Sequence, residues 1–147
     1  MTGGRLRRIV LLLAGLTLVA IGAGAAFVPD AFYSSYGIVL GGDADLTSEL
    51  RAAGLALLLL GAIVIAGAFA ERLTRVAALI GTVVLLAYAG GRLLSWTIDG
   101  APSTALALAG IVEFALGVAC LWALRRTSSR GLSPSPKSAA EHDLTEA

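Results

Sequence analysis

Residues Ser103 to Leu124 read STALALAGIVEFALGVACLWAL. The run is apolar throughout except for Glu113 near its middle and small polar residues at its start. It has the ~20 residues that an α-helix needs to cross a hydrocarbon core of ~30 Å. A carboxylate at that depth is expensive, so it requires a partner or a task. Two questions follow: what bundle surrounds this helix, and what meets Glu113.

Three more stretches have the same character: Ile9 to Val28, Ser48 to Ala70 and Leu73 to Ile98. Only helices and closed barrels satisfy their own backbone in lipid. The alternating pattern of barrel strands is absent. The fold class is therefore all-α, an integral membrane four-helix bundle over residues 1–126. Residues 127–147 include Ser133-Pro134-Ser135-Pro136 and carry too few apolar side chains to offset ordering entropy, so they read as a disordered cytoplasmic tail.

Composition agrees. The chain is 57% hydrophobic and 14% charged, whereas soluble domains carry about 25% charged residues. A formal net charge of +1 supplies no electrostatic footprint for nucleic acid. Cys120 is the only cysteine and His142 the only histidine. An intrachain disulfide is thus impossible, and one chain cannot build a His/Cys zinc site. Asp43 and Asp45 lack the rest of a calcium-binding loop. They suit the positive end of the second helix, with Asp45 as the candidate cap. No cofactor motif is present.

Every Lys and Arg except Arg51 and Arg92 falls before the first span, around the junction of the second and third, or after the fourth. The opposite loops carry Asp30, Asp43, Asp45 and Asp99 instead. The positive-inside rule then places both termini in the cytoplasm. A rival reading makes Arg5 to Ala26 a cleaved signal peptide. The apolar run exceeds the ~7–15 residues of such a segment, which favours a retained helix.

Pro29 to Thr47 is the longest connection, and Phe32, Tyr33 and Tyr36 suit the headgroup layer. An ordinary loop with aromatic anchors is preferred over a short interfacial helix or re-entrant turn. Trp96 and Trp122 read as interface anchors too.

Glycines recur seven apart at Gly15 and Gly22, Gly54 and Gly61, and Gly110 and Gly117. Seven residues are two helical turns, so each pair lies on one face and permits close helix approach. Glu113 shares its face with Ala109, Gly110, Leu116, Gly117 and Cys120, which turns it toward the bundle interior. Side chains lean toward the N-terminus of their own helix. On antiparallel third and fourth helices, Arg92 and Glu113 therefore incline toward each other, and the sequence predicts that they pair. Arg51 leans the other way, toward Asp99, Glu49 or a lipid phosphate, and forms with Asp99 a shallower tier. Tyr88, Ser95 and Asp99 share the Arg92 face by i−4, i+3 and i+7 spacing and complete a polar cluster.

Several of these segments carry a resemblance: Pro29-x-x-Phe32-x-x-x-Tyr36-Gly37, Glu49-Leu50-Arg51-Ala52-x-Gly54, Gly91-Arg92-x-x-Ser95-x-x-x-Asp99-Gly100-x-Pro102, and Glu113. Over about residues 8 to 126 the chain resembles an uncharacterised bacterial family of small four-helix membrane proteins, the domain of unknown function 4345 family. Ala53 departs from it, where a second glycine beside Gly54 is expected. The resemblance implies a four-helix fold and importance for Arg51, Arg92, Asp99 and Glu113, and no activity. A looser similarity to DoxX-like membrane proteins rests on architecture alone.

The first functional reading is a structural or accessory protein of the bacterial cytoplasmic membrane. Its partners are the lipid bilayer and another membrane protein or a second copy of itself. The alternative is a small-molecule or proton-coupled transporter, or a ligand-binding membrane protein, that uses the polar cluster. A membrane enzyme ranks third, because no nucleophile–base arrangement accompanies Glu113. A cavity at the cluster favours the second reading, and a dry, fully paired cluster the first.

Overall fold

The structure is a computed structural model that describes residues 2–128. Helix α1 spans Thr2–Phe27, a short α2 spans Pro29–Ser34, and α3 spans Ala44–Phe69. A 3-10 turn, Glu71–Leu73, leads into α4, Thr74–Asp99, and α5 covers Thr104–Ser128. The described residues contain no strand. Four of the helices are long and apolar enough to cross a membrane. Residues 129–147, most of the expected tail, lie outside the described part of the chain, and Thr127 and Ser128 continue α5 instead of beginning that tail.

The bundle is built from two pairs, α1 on α3 and α4 on α5. In the first pair the spaced glycines interlock. A Cβ on Gly22 would lie 2.5 Å from the Leu58 nitrogen and 2.6 Å from the Gly54 carbonyl oxygen. One on Gly61 would lie 2.8 Å from the Gly15 carbonyl oxygen. Backbone meets backbone at both ends of the contact, which is how membrane helices gain dispersion contacts without a solvent-driven term. In the second pair, Gly117 accommodates Leu86, and Gly110 accommodates the Arg92 stem, 3.2 Å from where its Cβ would stand.

The core lies toward the end where α1 begins and α5 ends. Leu11, Ala14, Leu18, Val64, Ala77, Ala78, Cys120 and Ala123 are all essentially inaccessible. The α3–α4 reversal closes this end. Ala70 is extended and breaks α3, and the buried Thr74 hydroxyl donates to the Gly67 carbonyl at 2.9 Å. Toward the α2 end the packing thins, and no residue of α4 beyond Leu85 is buried. There α4 stops at Gly100, whose φ of 101° is accessible to glycine without a Cβ clash. Pro102 follows and cannot extend the helix.

Two local expectations are corrected. The helix cap of α3 is Asp43, whose Oδ1 accepts from the Asp45 and Leu46 amides at 2.9 and 3.1 Å. Asp45 falls inside the first turn, where its charge still complements the helix dipole. The segment after α1 is a short helix, not an ordinary loop. Pro29 sits at its first position, where a missing N–H has no consequence. The Phe32 amide donates to Val28 at 2.9 Å, and the Phe32 ring lies against Gly24.

The glycine geometry makes a paired prediction. Gly22→Leu has to displace backbone and should lower stability by about 1–3 kcal/mol. Gly90 has nothing within 4 Å of a Cβ. Gly90→Ala should therefore raise stability by up to ~0.5–1 kcal/mol through helix propensity alone. Thermal unfolding of the purified variants in detergent checks both signs.

Candidate functional site

Glu113 sits on α5 about two and a half turns from its start, against α4, and is 1% exposed. Its carboxylate accepts two hydrogen bonds from Arg92. The Arg92 Nε donates to Oε2 at 2.8 Å and Nη2 to Oε1 at 3.0 Å. This is the bidentate fork that guanidinium and carboxylate planes favour. The pairing expected from opposed side-chain leans is thus formed. Gly110 eases it, because the Arg92 stem passes 3.2 Å from where a Cβ on residue 110 would stand.

Arg51 is placed elsewhere. Its Nη1 donates to the Ala26 carbonyl at 2.8 Å, near the end of α1, instead of meeting Asp99 or Glu49. Close packing explains this. Gly54 lies one turn along α3 and would put a Cβ 2.7 Å from the Ala26 nitrogen, so Arg51 is held beside the unsatisfied carbonyls of α1. Asp99 accepts from Ser95 at 2.7 Å at the exposed end of α4. The structure joins Arg92 with Glu113 and Ser95 with Asp99, and leaves Arg51 on a different task.

Beside the ion pair is a cavity of about 540 Å³, toward α2. Arg92, Tyr33, Tyr36, Tyr88 and Ser95 line its polar side, and Ile21, Ala25, Ala53 and Leu57 its apolar side. Gly91 also lines it, with nothing within 4 Å of its Cβ position. Tyr33 and Tyr36 are held over it by edge-on contacts to the Phe32 ring, with centroids 5.3 and 5.4 Å apart. Burial pushes the Tyr33 phenol above its ordinary value, and the Arg92 charge pulls it back down. A second space of about 450 Å³ lies between α4 and α5, lined by apolar residues such as Leu93, Trp96, Ile111 and Phe114 as well as by Arg92. Arg92 therefore borders both.

The family described as Domain of unknown function (DUF4345) matches residues 6–124. The chain belongs to this family. The match spans all four long helices and includes Arg51, Arg92, Asp99 and Glu113. No curated protein and no solved structure shows significant similarity to the chain. Membership of DUF4345 thus carries no assigned activity, and chemistry has to be read from the site.

Among the described residues, no three His, Cys, Asp or Glu side chains gather as metal ligands would. Cys120 is buried against Gly81, whose Cβ would stand 2.8 Å from Sγ. Tyr88 and Ser95, expected on the Arg92 face, line the same cavity as Arg92. Sequence reasoning treated Tyr33 and Tyr36 only as interface anchors. The signal for more was the adjacent Gly90 and Gly91 next to Arg92, since two glycines inside a helix weaken it and need a reason. Trp122 packs against the core with Arg126 over its ring at 4.8 Å, whereas Trp96 is exposed.

The pair lends itself to a double-mutant cycle. Removing one partner of a buried pair costs about 3–5 kcal/mol, and Arg92, 27% exposed, should fall toward or below the lower end of that range. Glu113→Gln should be the more damaging of the single changes in Tm, with Arg92→Gln next. The double variant should recover part of the loss, with a coupling of ~0.5–3 kcal/mol. Strict additivity would show that the pair does not hold α4 to α5.

Proposed function

We propose that the chain is an integral protein of the bacterial cytoplasmic membrane, with both termini inside, that holds a small amphipathic molecule in the cavity beside Arg92. One observation carries this reading. Arg92 has five N–H groups, of which Glu113 engages two. The remainder have no protein hydrogen-bond acceptor among the described residues, and Arg92 lines a cavity of about 540 Å³ with three tyrosines. Sites for small molecules have volumes of ~300–1,000 Å³ and combine apolar walls with a few convergent polar groups. Four helices of membrane-spanning length and the one-ended distribution of basic residues support insertion and sidedness.

The second reading is a structural or accessory role. Full pairing of Glu113 with no unsatisfied buried polar side chain favours it. The two roles share the ion pair and diverge at the cavity, which a purely structural pair does not need.

Gly91→Leu separates them. Gly91 lines the cavity, and apart from its chain neighbours nothing lies within 4 Å of a Cβ built there, so a larger side chain has room to occupy that space. Organic extracts of purified wild type should contain a co-purifying compound near stoichiometry that is missing from Gly91→Leu. Identical extracts from equally folded proteins would reject the ligand-binding reading. For topology, Ser35→Cys should react with a membrane-impermeant maleimide on intact cells and Glu71→Cys should not. The reverse pattern would invert the orientation.

A further inference from the structure

Resting on that ligand-binding reading, we infer that the cavity selects an uncharged, hydrogen-bond-accepting molecule, such as an ester or ketone with an apolar body, over an anion of the same shape. Arginine in a pocket ordinarily points to a carboxylate or phosphate ligand. Here the guanidinium is already neutralised. Glu113 holds it through two bonds of 2.8 and 3.0 Å and is itself almost wholly buried. An anion reaching the free N–H groups of Arg92 would lie close to the Glu113 carboxylate, and at that depth the repulsion is weakly screened.

The charges on each neighbouring element reinforce this. The described part of α1 contributes no charge at the α2 end. Helix α2 brings Asp30, and α3 with its cap brings Asp43, Asp45, Glu49 and Arg51. Helix α4 brings Arg92 and Asp99, and α5 brings Glu113. Acids outnumber arginines on these elements, although Arg92 is the only charged residue in the cavity lining, and the Arg51 guanidinium already serves the Ala26 carbonyl. A cation fares no better, because the group it would meet inside the cavity is Arg92.

What the cavity does offer is hydrogen-bond donors. Among the described residues, Arg92 retains N–H groups without a protein acceptor, and the hydroxyls of Tyr33, Tyr36 and Tyr88 make no protein hydrogen bond. A neutral carbonyl or ester oxygen satisfies such donors without bringing a second negative charge beside Glu113. The apolar side, with Ile21, Ala25 and Leu57, suits a hydrocarbon body.

The test uses three chain-matched probes: methyl decanoate, decanesulfonate and decyltrimethylammonium. Adducts with the full-length protein are measured by native mass spectrometry after release from detergent, for wild type and Gly91→Leu. The expected result is a methyl decanoate adduct at least tenfold above the other two and lost in Gly91→Leu. Glu113→Gln, if it folds, should shift the preference toward decanesulfonate by releasing the Arg92 charge. Sulfonate binding at or above the ester in wild type, lost in Gly91→Leu, would overturn the selectivity and leave the ligand site standing. Adducts that are absent, or equal in wild type and Gly91→Leu, would overturn the site and the selectivity together.

Discussion

A carboxylate with 1% exposure inside an apolar helix needs donors within reach, and this requirement sets α5 against α4. Leaving such a charge unpaired costs about 3–5 kcal/mol, as much as a large core cavity. The bidentate fork admits little variation in angle or register. It holds α4 and α5 together in a region where other burial is sparse, since no residue of α4 beyond Leu85 is buried. Gly110 gives the Arg92 stem room, since a Cβ there would lie 3.2 Å from it and the stem would have to shift by a few tenths of an ångström.

At the other end the molecule is held by different physics. Leu11, Val64, Ala77, Ala78, Cys120 and Ala123 pack to near-complete exclusion, with no charge among them. Small residues allow close backbone approach, and dispersion contacts accumulate over many atom pairs. Glycine-on-glycine contact carries α1 and α3 together along their length. The bundle is therefore tight near its termini and along α1–α3, and looser where α4 passes α2. That unevenness is what leaves a cavity next to an arginine.

The cavity changes how the ion pair should be understood. Buried pairs are weak evidence for stability taken alone, because apolar residues of similar volume often serve the fold as well. Here one partner is sealed and the other is 27% exposed. Glu113 is shaped by the fold's need for satisfaction, whereas Arg92 is divided between that need and the space beside it. The aromatic group on α2 and the turn after it, anchored by Phe32 against Gly24, lines the same space. Together these features turn a structural contact into a donor-rich site.

Much of this was legible in the sequence, for reasons that can be named. A run such as Ser103 to Leu124 is long and apolar and lacks the alternation of a barrel strand, so the four long helices followed from hydropathy. The Arg92–Glu113 pair followed from side-chain direction on antiparallel helices, a local property of each helix. The partner of Arg51 did not, because it depends on how close α1 and α3 come, which Gly54 and Ala26 decide only once they meet. Nor did the capping of α3 by Asp43 instead of Asp45, since one residue of backbone rotation determines which side chain faces the free amides. The cavity was least legible of all. Sequence by itself determined which segments are helices and which charges must be buried, because those are matters of solvation and local geometry. Only the tertiary structure decided where the helices part, because empty space is a property of the packed whole and of no residue within it.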